Sequence, residues 1–581
     1  MLTQACFDNL GYKFSMENVF KSRPFKIRNA DEYGITNVLG LFVNPINGLA
    51  TPFDYENSII KGRMGSGKTM YLRANHAYYL SALVPSLIEK NEEITLPVFI
   101  RLNDFQHIKE PREIYCAIII RVIEELTSIY LHLNDMKHLA EIQSGMKHLP
   151  EPLMESHKLS SSIKQLAQLG SEEYIERVTT ELGLKGGLKP KFIELSAEYK
   201  NINFTEVKNK PNPGIKDVED CYKNLLAGQD GKILLLIDEA GSLDKSFFSD
   251  NNDSCFFEIL MNQFRTSSFI RTKIAVYPNS YSDMLTETRY GDAVILEDDV
   301  RNEDGYNIFR SRTFDMIKNY LNPDFYKTHT LSVADVFDLS ETGASGDAIE
   351  QIIYASNGNM RRMMQLLDLS METAYLENNA PKLITKEHAL KTLIRHAQKA
   401  ESEYQPQDLD LLHSLTNVCK ARGAFKFKFP NVSLHKYTNR SEEYNLVNVV
   451  QLGAGRRATT YVFDYAYAVF KEIPTHRMKI SEKVNHGRTK VDGRWLDREA
   501  TINDELIFHA DLPGKIEGVF DFINSANGSG FIVSDNREQY FFMKSNIIQA
   551  DKSKSVITKK RVRFYPSMYG DTKCAIHIEV L

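Results

Sequence analysis

The feature that most constrains this chain is a short glycine-rich segment at residues 62–69, with the sequence GRMGSGKT. It fits the pattern G-x-x-x-x-G-K-[ST], follows an apolar stretch at Ser58–Lys61 and precedes a helical pattern from Lys68 to about Leu80. Glycines let successive backbone N–H groups curl around an anion, and the helix that follows adds the positive end of its dipole. The segment therefore predicts a loop that binds the phosphates of a nucleotide.

The residue types in this loop predict individual roles. Lys68 is expected to reach the β- and γ-phosphates, and the Thr69 hydroxyl is expected to ligate Mg²⁺. The predicted nucleotide contacts are Gly62, Arg63, Met64, Gly65, Ser66, Gly67, Lys68, Thr69 and Met70. ATP and Mg²⁺ are therefore the expected cofactors.

A second motif lies far downstream, where an apolar run ends in two acids. The run Ile233–Ile237 is followed directly by Asp238 and Glu239, as in a Walker B element. Carboxylates at the carboxyl edge of a parallel sheet lie where ligands bind in such folds. Asp238 is therefore expected to hold Mg²⁺, directly or through water, and Glu239 to activate the attacking water as general base. Taken alone, the pair also fits a solvated acidic turn.

The order of apolar segments predicts the fold class. Short strand-like runs near residues 58, 96, 233 and 273 alternate with helical patterns, which favours a parallel sheet in an α/β layer fold. Residues 305–398 are helical in pattern, and short strands with turn signals follow residue 511. The 581 residues are enough for several domains.

Composition excludes several classes of protein. A net charge of −5 excludes a polycation that coats nucleic acid by bulk charge, although residues 451–490 carry a local surplus of about five positive charges. The six cysteines lack metal-ligand spacing and fit small buried residues of a reducing compartment. The first residues lack a signal-peptide pattern, and no run approaches the roughly 18 apolar residues of a membrane helix. A soluble, cytoplasmic protein without membrane contact is expected.

Over roughly residues 50–400, the chain resembles the AAA+ ATPases of the origin-recognition type. The resemblance rests on both motifs, on IAVYPNS at 274–280 and on GNMR at 358–361. The resemblance implies a three-layer α/β ATPase core with a helical lid, ATP hydrolysis and a homo-oligomer built through the nucleotide interface. It also implies that Asn279 is a sensor of the γ-phosphate and that Arg361 reaches back from the lid to the nucleotide. A turn residue and a solvated helix arginine remain the alternatives for these two positions.

The same resemblance implies an arginine finger that reaches the γ-phosphate of a neighbouring subunit. It should lie between the sensor strand and the next strand, and Arg289 is the only arginine in that interval. An ordinary surface arginine is the alternative. A helical insertion at about 135–215 departs from the family, since roughly 130 residues separate the second strand from Asp238, far more than a crossover needs.

Residues 401–475 look like a winged-helix domain, a usual companion of these ATPases. Arg456 and Arg457, in a turn between two strand-like runs, are candidate nucleic-acid contacts at the wing, and Lys426 and Lys428 are further candidates for phosphates. A domain that packs only against protein is the alternative.

Residues 511–581 resemble a cold-shock domain, a small OB-type barrel. The resemblance rests on Gly518–Ile532 and on YFFMKS at 540–545. It implies that Phe522, Phe531 and Phe541 stack on the bases of single strands. Ser529 and Met543 replace an expected phenylalanine and histidine, so a barrel that serves protein contact is the alternative.

The predicted divisions are an N-terminal segment at 1–50, an ATPase base at 51–302, a lid at 303–400, a winged-helix-like domain at 401–480, a linker at 481–510 and a cold-shock-like barrel at 511–581. This architecture favours an ATP-driven switch that acts on nucleic acid, with phage defence or mobile-element control suggested by analogy alone. A signalling scaffold that assembles with a protein effector and a replication-initiator-like DNA-binding ATPase are the alternatives.

Overall fold

The structure, a computed structural model, describes part of the chain. The described residues are 16–46, 51–88, 93–108, 230–239, 267–277, 292–300, 303–322, 331–340, 346–429, 434–438, 445–451, 458–473, 490–491, 494–495, 499–502, 514–524, 528–548, 557–569 and 572–581, with a few isolated positions between them. The chain divides into two compact units. One, called here the base unit, comprises Ile27–Glu297 and Asn322–Lys327. The other, the C-terminal unit, comprises the remaining residues, including Met1–Lys26.

A five-stranded parallel sheet forms the centre of the base unit. Its strands are β1 (Ser58–Lys61), β2 (Glu93–Arg101), β3 (Asp230–Asp238), β4 (Ile270–Val276) and β5 (Asp292–Ile295), in the order β2-β3-β4-β1-β5. All-parallel sheets are covered on both faces, and residues 233–237 are accordingly completely buried. The predicted α/β core with a parallel sheet is confirmed.

Two helices of the base unit are α1 (Ile35–Leu41) and α2 (Lys68–Ile88), and 3₁₀ turns lie at Ala30–Glu32 and Leu102–Phe105. Tyr71 and Leu72 of α2 pack into the same core cluster as residues 234 and 236 of β3. The Tyr71 hydroxyl donates to the carbonyl oxygen of Pro52 at 3.1 Å, and the completely buried Lys273 of β4 donates to the same oxygen. These contacts fix α2, and hence the loop before it, on the sheet.

The part of the C-terminal unit at 303–402 is called here the lid segment, after its predicted role. Its described residues form the helices α3 (Glu303–Leu321), α4 (Ala348–Ser356), α5 (Met360–Asn378) and α6 (Lys386–Ser402), and a 3₁₀ turn at Val333–Asp335. The turn from α4 to α5 uses two left-handed residues, Asn357 and Gly358, and then Asn359, whose side chain caps α5 by accepting from the Arg362 N–H at 3.0 Å. The glycine and asparagine of the GNMR motif therefore build the turn that presents the arginines.

Replacing Gly358 with alanine is expected to destabilise the C-terminal unit by about 1–3 kcal/mol from backbone strain alone. Gly358 has φ +76°, and an added Cβ would lie 2.5 Å from the backbone oxygen of Asp298. Urea unfolding followed by circular dichroism measures the change. Gly514→Ala is the matched control, because an added Cβ there meets nothing within 4 Å. Equal unfolding midpoints for the two variants would contradict this account of the turn.

A second sheet follows the lid. The described elements of this region are α7 (Pro406–Arg422), β6 (Lys426–Phe429), α8 (His435–Thr438), β7 (Val447–Gln451), β8 (Thr459–Phe463), α9 (Tyr465–Phe470), β9 (Lys490–Val491), β10 (Arg494–Trp495) and β11 (Glu499–Thr501). Strands β9 and β10 pair with each other, outside the second sheet. The sheet order is β11-β6-β8-β7, so β11, from the predicted linker, pairs with β6. Glu499 forms ion pairs with Lys426 and Lys428, which are therefore held by a carboxylate.

The last strands close a barrel. They are β12 (Ile516–Ile523), β13 (Gly530–Ser534), β14 (Gln539–Phe542), β15 (Arg561–Tyr569) and β16 (Thr572–Val580), joined in the order β12-β13-β14-β16-β15. Gly530 allows the first two strands to approach, because a Cβ there would overlap the carbonyl oxygen of Phe522. The small all-β barrel that the sequence predicts is present, while its kinship to cold-shock domains stays a prediction. None of the helices in the described ranges has the length and apolar character needed to cross a bilayer.

Candidate nucleotide-binding site

The glycine-rich loop connects β1 to α2 in the base unit. Gly65 and Gly67 have φ of +83° and +98°, conformations that residues with a Cβ rarely adopt. At Gly62 an added Cβ would overlap the side chain of Ser66, which would then have to move. The loop therefore has the backbone that an anion-binding turn before a helix needs.

Lys68 is the first residue of α2 and is only 7 % exposed. Its ammonium donates to the carbonyl oxygens of Gly62 and Arg63 at 2.7 and 2.8 Å and lies 4.1 Å from the ring centroid of Tyr277. Carbonyl oxygens and an aromatic face both attract a cation, so they hold the positive charge against the loop. Lys68 therefore lies at the loop, while its contact with the β- and γ-phosphates stays a prediction.

The loop is also held from the end of β5. Glu297 accepts a hydrogen bond from the Arg63 backbone N–H, and its carboxylate lies 3.2 Å from Arg63 Nε. The second residue of the loop is thereby fixed in both its main chain and its side chain. Sequence analysis did not single out Glu297, because no motif marks it.

The two predicted Mg²⁺ ligands lie together. Asp238 ends β3, which is separated from β1 by β4 alone, so the two strand ends are about 10 Å apart. The Thr69 hydroxyl and the Asp238 carboxylate are hydrogen-bonded. Asp238 is almost completely buried, and this burial raises the pKa of its carboxyl. A hydroxyl and a buried carboxylate therefore converge in front of the loop.

Glu239 follows with a left-handed backbone, φ +58°. This conformation costs roughly 1–2 kcal/mol in a residue with a Cβ, and such strain occurs at functional sites. Its backbone N–H donates to Asp238 Oδ1 at 2.8 Å. Burial raises the pKa of the Glu239 carboxyl, and the negative charges of Asp238 and Asp31 raise it further. Glu239 is thus held beside Asp238 as a carboxylate with increased proton affinity.

Two charged residues beside this pair were missed by sequence analysis. Arg101 ends β2 as the register partner of Asp238, and its positive charge lowers the pKa of Glu239. Asp31 lies 2.8 Å from Arg101 Nη2 and 3.6 Å from Arg73 Nη1. Arg101 could have been found by the argument used for Asp238, since both end neighbouring parallel strands. Asp31 carries no such signal, because it is distant in sequence from Arg101 and Glu239 and only the fold brings these residues together.

The arrangement fits a nucleotide with a divalent cation. Buried carboxylates with raised pKa favour a nearby cation, and Mg²⁺ typically takes one or two protein oxygens with phosphate oxygens and waters. No group of three or more histidine, cysteine, aspartate or glutamate residues suited to a metal occurs in the described part of the chain. Thr69 and Asp238 would thus share the ion with the phosphates.

The other predicted site residues fall into two groups. Asn279, Arg289, Arg456 and Arg457 lie outside the described residues. Arg361 is in the first turn of α5, partly buried, and its Nε has no hydrogen-bond partner among the residues that the structure describes.

The three predicted aromatic contacts lie in one row across the barrel. Phe522 of β12 pairs in register with Phe531 of β13, which pairs with Phe541 of β14. The rings of Phe531 and Phe541 are 5.7 Å apart, and Phe522 is 54 % exposed. The barrel therefore brings these residues together on its outer surface.

Comparison with known proteins identifies one family. A family model described as ORC-CDC6-like matches residues 23–247, which include both nucleotide-binding motifs. No curated protein gives a significant match. The ORC2 protein of Aeropyrum pernix, in its ADPNP-ADP complexes, is 12 % identical, with 62 % of this chain and 68 % of that chain covered and a TM-score of 0.28.

A second archaeal structure is similarly distant. Cdc6p of Pyrobaculum aerophilum is 14 % identical, with 72 % of this chain and 87 % of that chain covered and a TM-score of 0.26. At such low TM-scores the structural neighbours carry no argument, and the assignment depends on the family match and on the motifs within it. Residues 23–247, which include both nucleotide-binding motifs, are therefore similar to the ORC-CDC6-like family.

Proposed function

We propose that this protein is an ATP-dependent molecular switch that binds and hydrolyses Mg·ATP and couples the nucleotide state to nucleic-acid binding. The observation that carries the proposal is the convergence of Lys68, Thr69, Asp238 and Glu239 on one edge of the parallel sheet. A charged donor, a pair of cation ligands and a general base are what hydrolysis of a phosphoanhydride requires.

The residues act as follows. Lys68 and the loop N–H groups neutralise the phosphate oxygens. Thr69 and Asp238 would hold Mg²⁺, which would supply further positive charge to the phosphates. Glu239 accepts a proton from the attacking water, whose oxygen bonds to the γ-phosphorus while the bond to the bridging oxygen breaks. ADP and inorganic phosphate result. Asn279, Arg361 and, in an oligomer, Arg289 are assigned by family resemblance to the γ-phosphate.

The barrel supports the nucleic-acid part of the proposal. A row of three phenylalanines suits successive unstacked bases, since every base offers a face for stacking. Several basic residues near this sheet are already paired, for example Arg561 with Glu517 and Asp535, and Lys573 with Glu538. We therefore infer that single strands bind mainly by stacking and with a shallow dependence on salt.

Replacing Phe522 or Phe541 with alanine is expected to weaken single-strand binding by about 1–3 kcal/mol, which is roughly 5- to 150-fold. Fluorescence anisotropy with a labelled oligonucleotide measures the change. Ile557→Ala is the matched control, because Ile557 is a similarly exposed apolar residue of the same region, 56 % exposed, outside the row. Equal losses in the control and in the row variants would argue against a stacking surface.

Initiator-like binding of duplex DNA is a second candidate, favoured by the family of residues 23–247. It assigns DNA contact to the second sheet and to Arg456 and Arg457 rather than to the barrel. A signalling scaffold remains the alternative in which the C-terminal modules contact an effector protein.

Affinities for single-stranded DNA, RNA and duplex DNA, each measured with ATP and with ADP, test the proposal. A switch predicts an affinity that differs between the two nucleotide states for one class of nucleic acid. Preference for duplex DNA over single strands would favour the initiator. Affinities that are the same with ATP and with ADP would overturn the proposed coupling.

A further inference from the structure

A buried ion pair joins the helix that carries Arg361 to the second sheet. Arg362 donates from Nη1 and Nη2 to the two carboxylate oxygens of Asp464 at 2.7 and 2.8 Å, and the two side chains are only 3 % and 4 % exposed. Asp464 is also the N-cap of α9, where it accepts from the Tyr467 N–H at 3.2 Å. One carboxylate therefore ties the first turn of α9 to the first turn of α5.

Helix α9 and the residue that follows it make three further hydrogen bonds with the lid segment. The Tyr465 hydroxyl donates to Gln351 Oε1 of α4 at 2.6 Å in a buried position. Glu401 of α6 accepts from the Tyr467 hydroxyl and from Lys471 Nζ, each at 3.0 Å. Three lid helices thus hold α9 through different residues.

The chain continues directly from this helix into the second sheet. Asp464 follows the last residue of β8, and β8 lies between β6 and β7. At the other end, the Arg362 N–H is part of the capped turn that presents Arg361. Two consecutive arginines therefore differ in environment, since Arg362 is buried against Asp464 while Arg361 remains partly exposed.

We propose that Arg362 and Asp464 are positioning residues that couple the nucleotide to the C-terminal modules, an inference that rests on the proposed function. A bidentate, buried pair cannot slide without leaving a charge in the interior, so the first turn of α5 and helix α9 move together. A shift of Arg361 in response to the nucleotide is thereby passed through α9 to β8 and changes nucleic-acid affinity.

The double variant Arg362→Met with Asp464→Asn tests this link in the full chain. It removes both charges, so that neither is left unpaired, and asparagine still caps α9. Hydrogen–deuterium exchange with ATP and with ADP is measured first. In the wild type we expect nucleotide-dependent exchange in α5 and in α9. In the variant we expect the response to remain in α5 and to disappear from α9.

Nucleic-acid binding gives the second readout. The ratio of affinities with ATP and ADP should fall to within about twofold of one in the double variant, while ATP affinity is unchanged. Lys391→Gln with Glu377→Gln is the control, because it removes an exposed ion pair of the lid at 2.9 Å. Arg362→Lys keeps the charge but not the bidentate geometry, and it should give an intermediate response even if the double variant is poorly folded.

The possible outcomes distinguish failure of the coupling through Arg362 and Asp464 from failure of the proposed function. The coupling role would be overturned if the double variant kept the nucleotide-dependent exchange in α9. It would also be overturned if exchange in α9 of the wild type were the same with ATP and ADP. A wild type whose α9 responds while nucleic-acid affinity does not would instead leave the link intact and overturn the proposed switch.

Discussion

Lys68→Ala is expected to weaken Mg·ATP binding by roughly 10- to 150-fold and to abolish measurable turnover. The estimate follows from the loss of hydrogen bonds between a charged donor and phosphate, which contribute about 1.5–3 kcal/mol. Turnover suffers further, because charge on the transferring phosphoryl group is no longer neutralised. Isothermal titration with a slowly hydrolysed ATP analogue measures binding, and phosphate release measures turnover.

A control must separate loss of charge from loss of fold, since Lys68 also donates to the carbonyl oxygens of Gly62 and Arg63. Lys21→Ala provides it, because the side chain of Lys21 is 77 % exposed and outside the site. Both variants should keep the melting temperature of the wild type to within a few degrees. Unchanged ATP affinity in a folded Lys68→Ala protein would rule out this loop as the phosphate site.

Glu239→Gln is expected to lower turnover by roughly 10²- to 10⁴-fold while ATP still binds. Glutamine has the size of glutamate but cannot accept the proton of the attacking water. The wild type should also show an acidic limit, because burial and the charges of Asp238 and Asp31 raise the pKa of Glu239. Turnover should fall as pH drops through that raised pKa, where the base becomes protonated, and reach a plateau above it.

Asp104→Asn is the matched control for this prediction. The negative charge of Asp104 also raises the pKa of Glu239, although Asp104 is not the assigned base. Its neutralisation should leave the plateau rate nearly unchanged and move the acidic limit to lower pH. A Glu239→Gln variant that turns over ATP at the rate of the Asp104→Asn variant would eliminate Glu239 as the base.

The nucleotide site is largely predictable because each of its two motifs is short and local in sequence. The loop, the helix start at Lys68 and the strand that ends at Asp238 are each indicated by short patterns, and the carboxyl ends of parallel strands meet at one edge of the sheet. The aromatic row of the barrel is expected for a different reason, the resemblance to cold-shock domains, and the register of three neighbouring strands brings its members together. The assignment to defence or mobile elements rests on analogy and stays a prediction.

Contacts between distant residues could not be predicted. Strand β4 was expected from Lys273 onward, whereas it begins at Ile270 and buries Lys273 completely, because Asp54 and the Pro52 carbonyl satisfy its charge. The pairing of Asp31 with Arg101 and of Arg362 with Asp464 likewise depends on folding. The periodicity of apolar residues in a sequence predicts which of them are buried, but it does not predict which residue pairs with a buried charge.

The most direct test of the central claim is Mg·ATP turnover by the purified full chain, alone and with single-stranded DNA, RNA or duplex DNA. We expect phosphate release that requires Mg²⁺, that one class of nucleic acid stimulates, and that Lys68→Ala and Glu239→Gln both abolish. Turnover that persists in both variants, or that no nucleic acid changes, would contradict it.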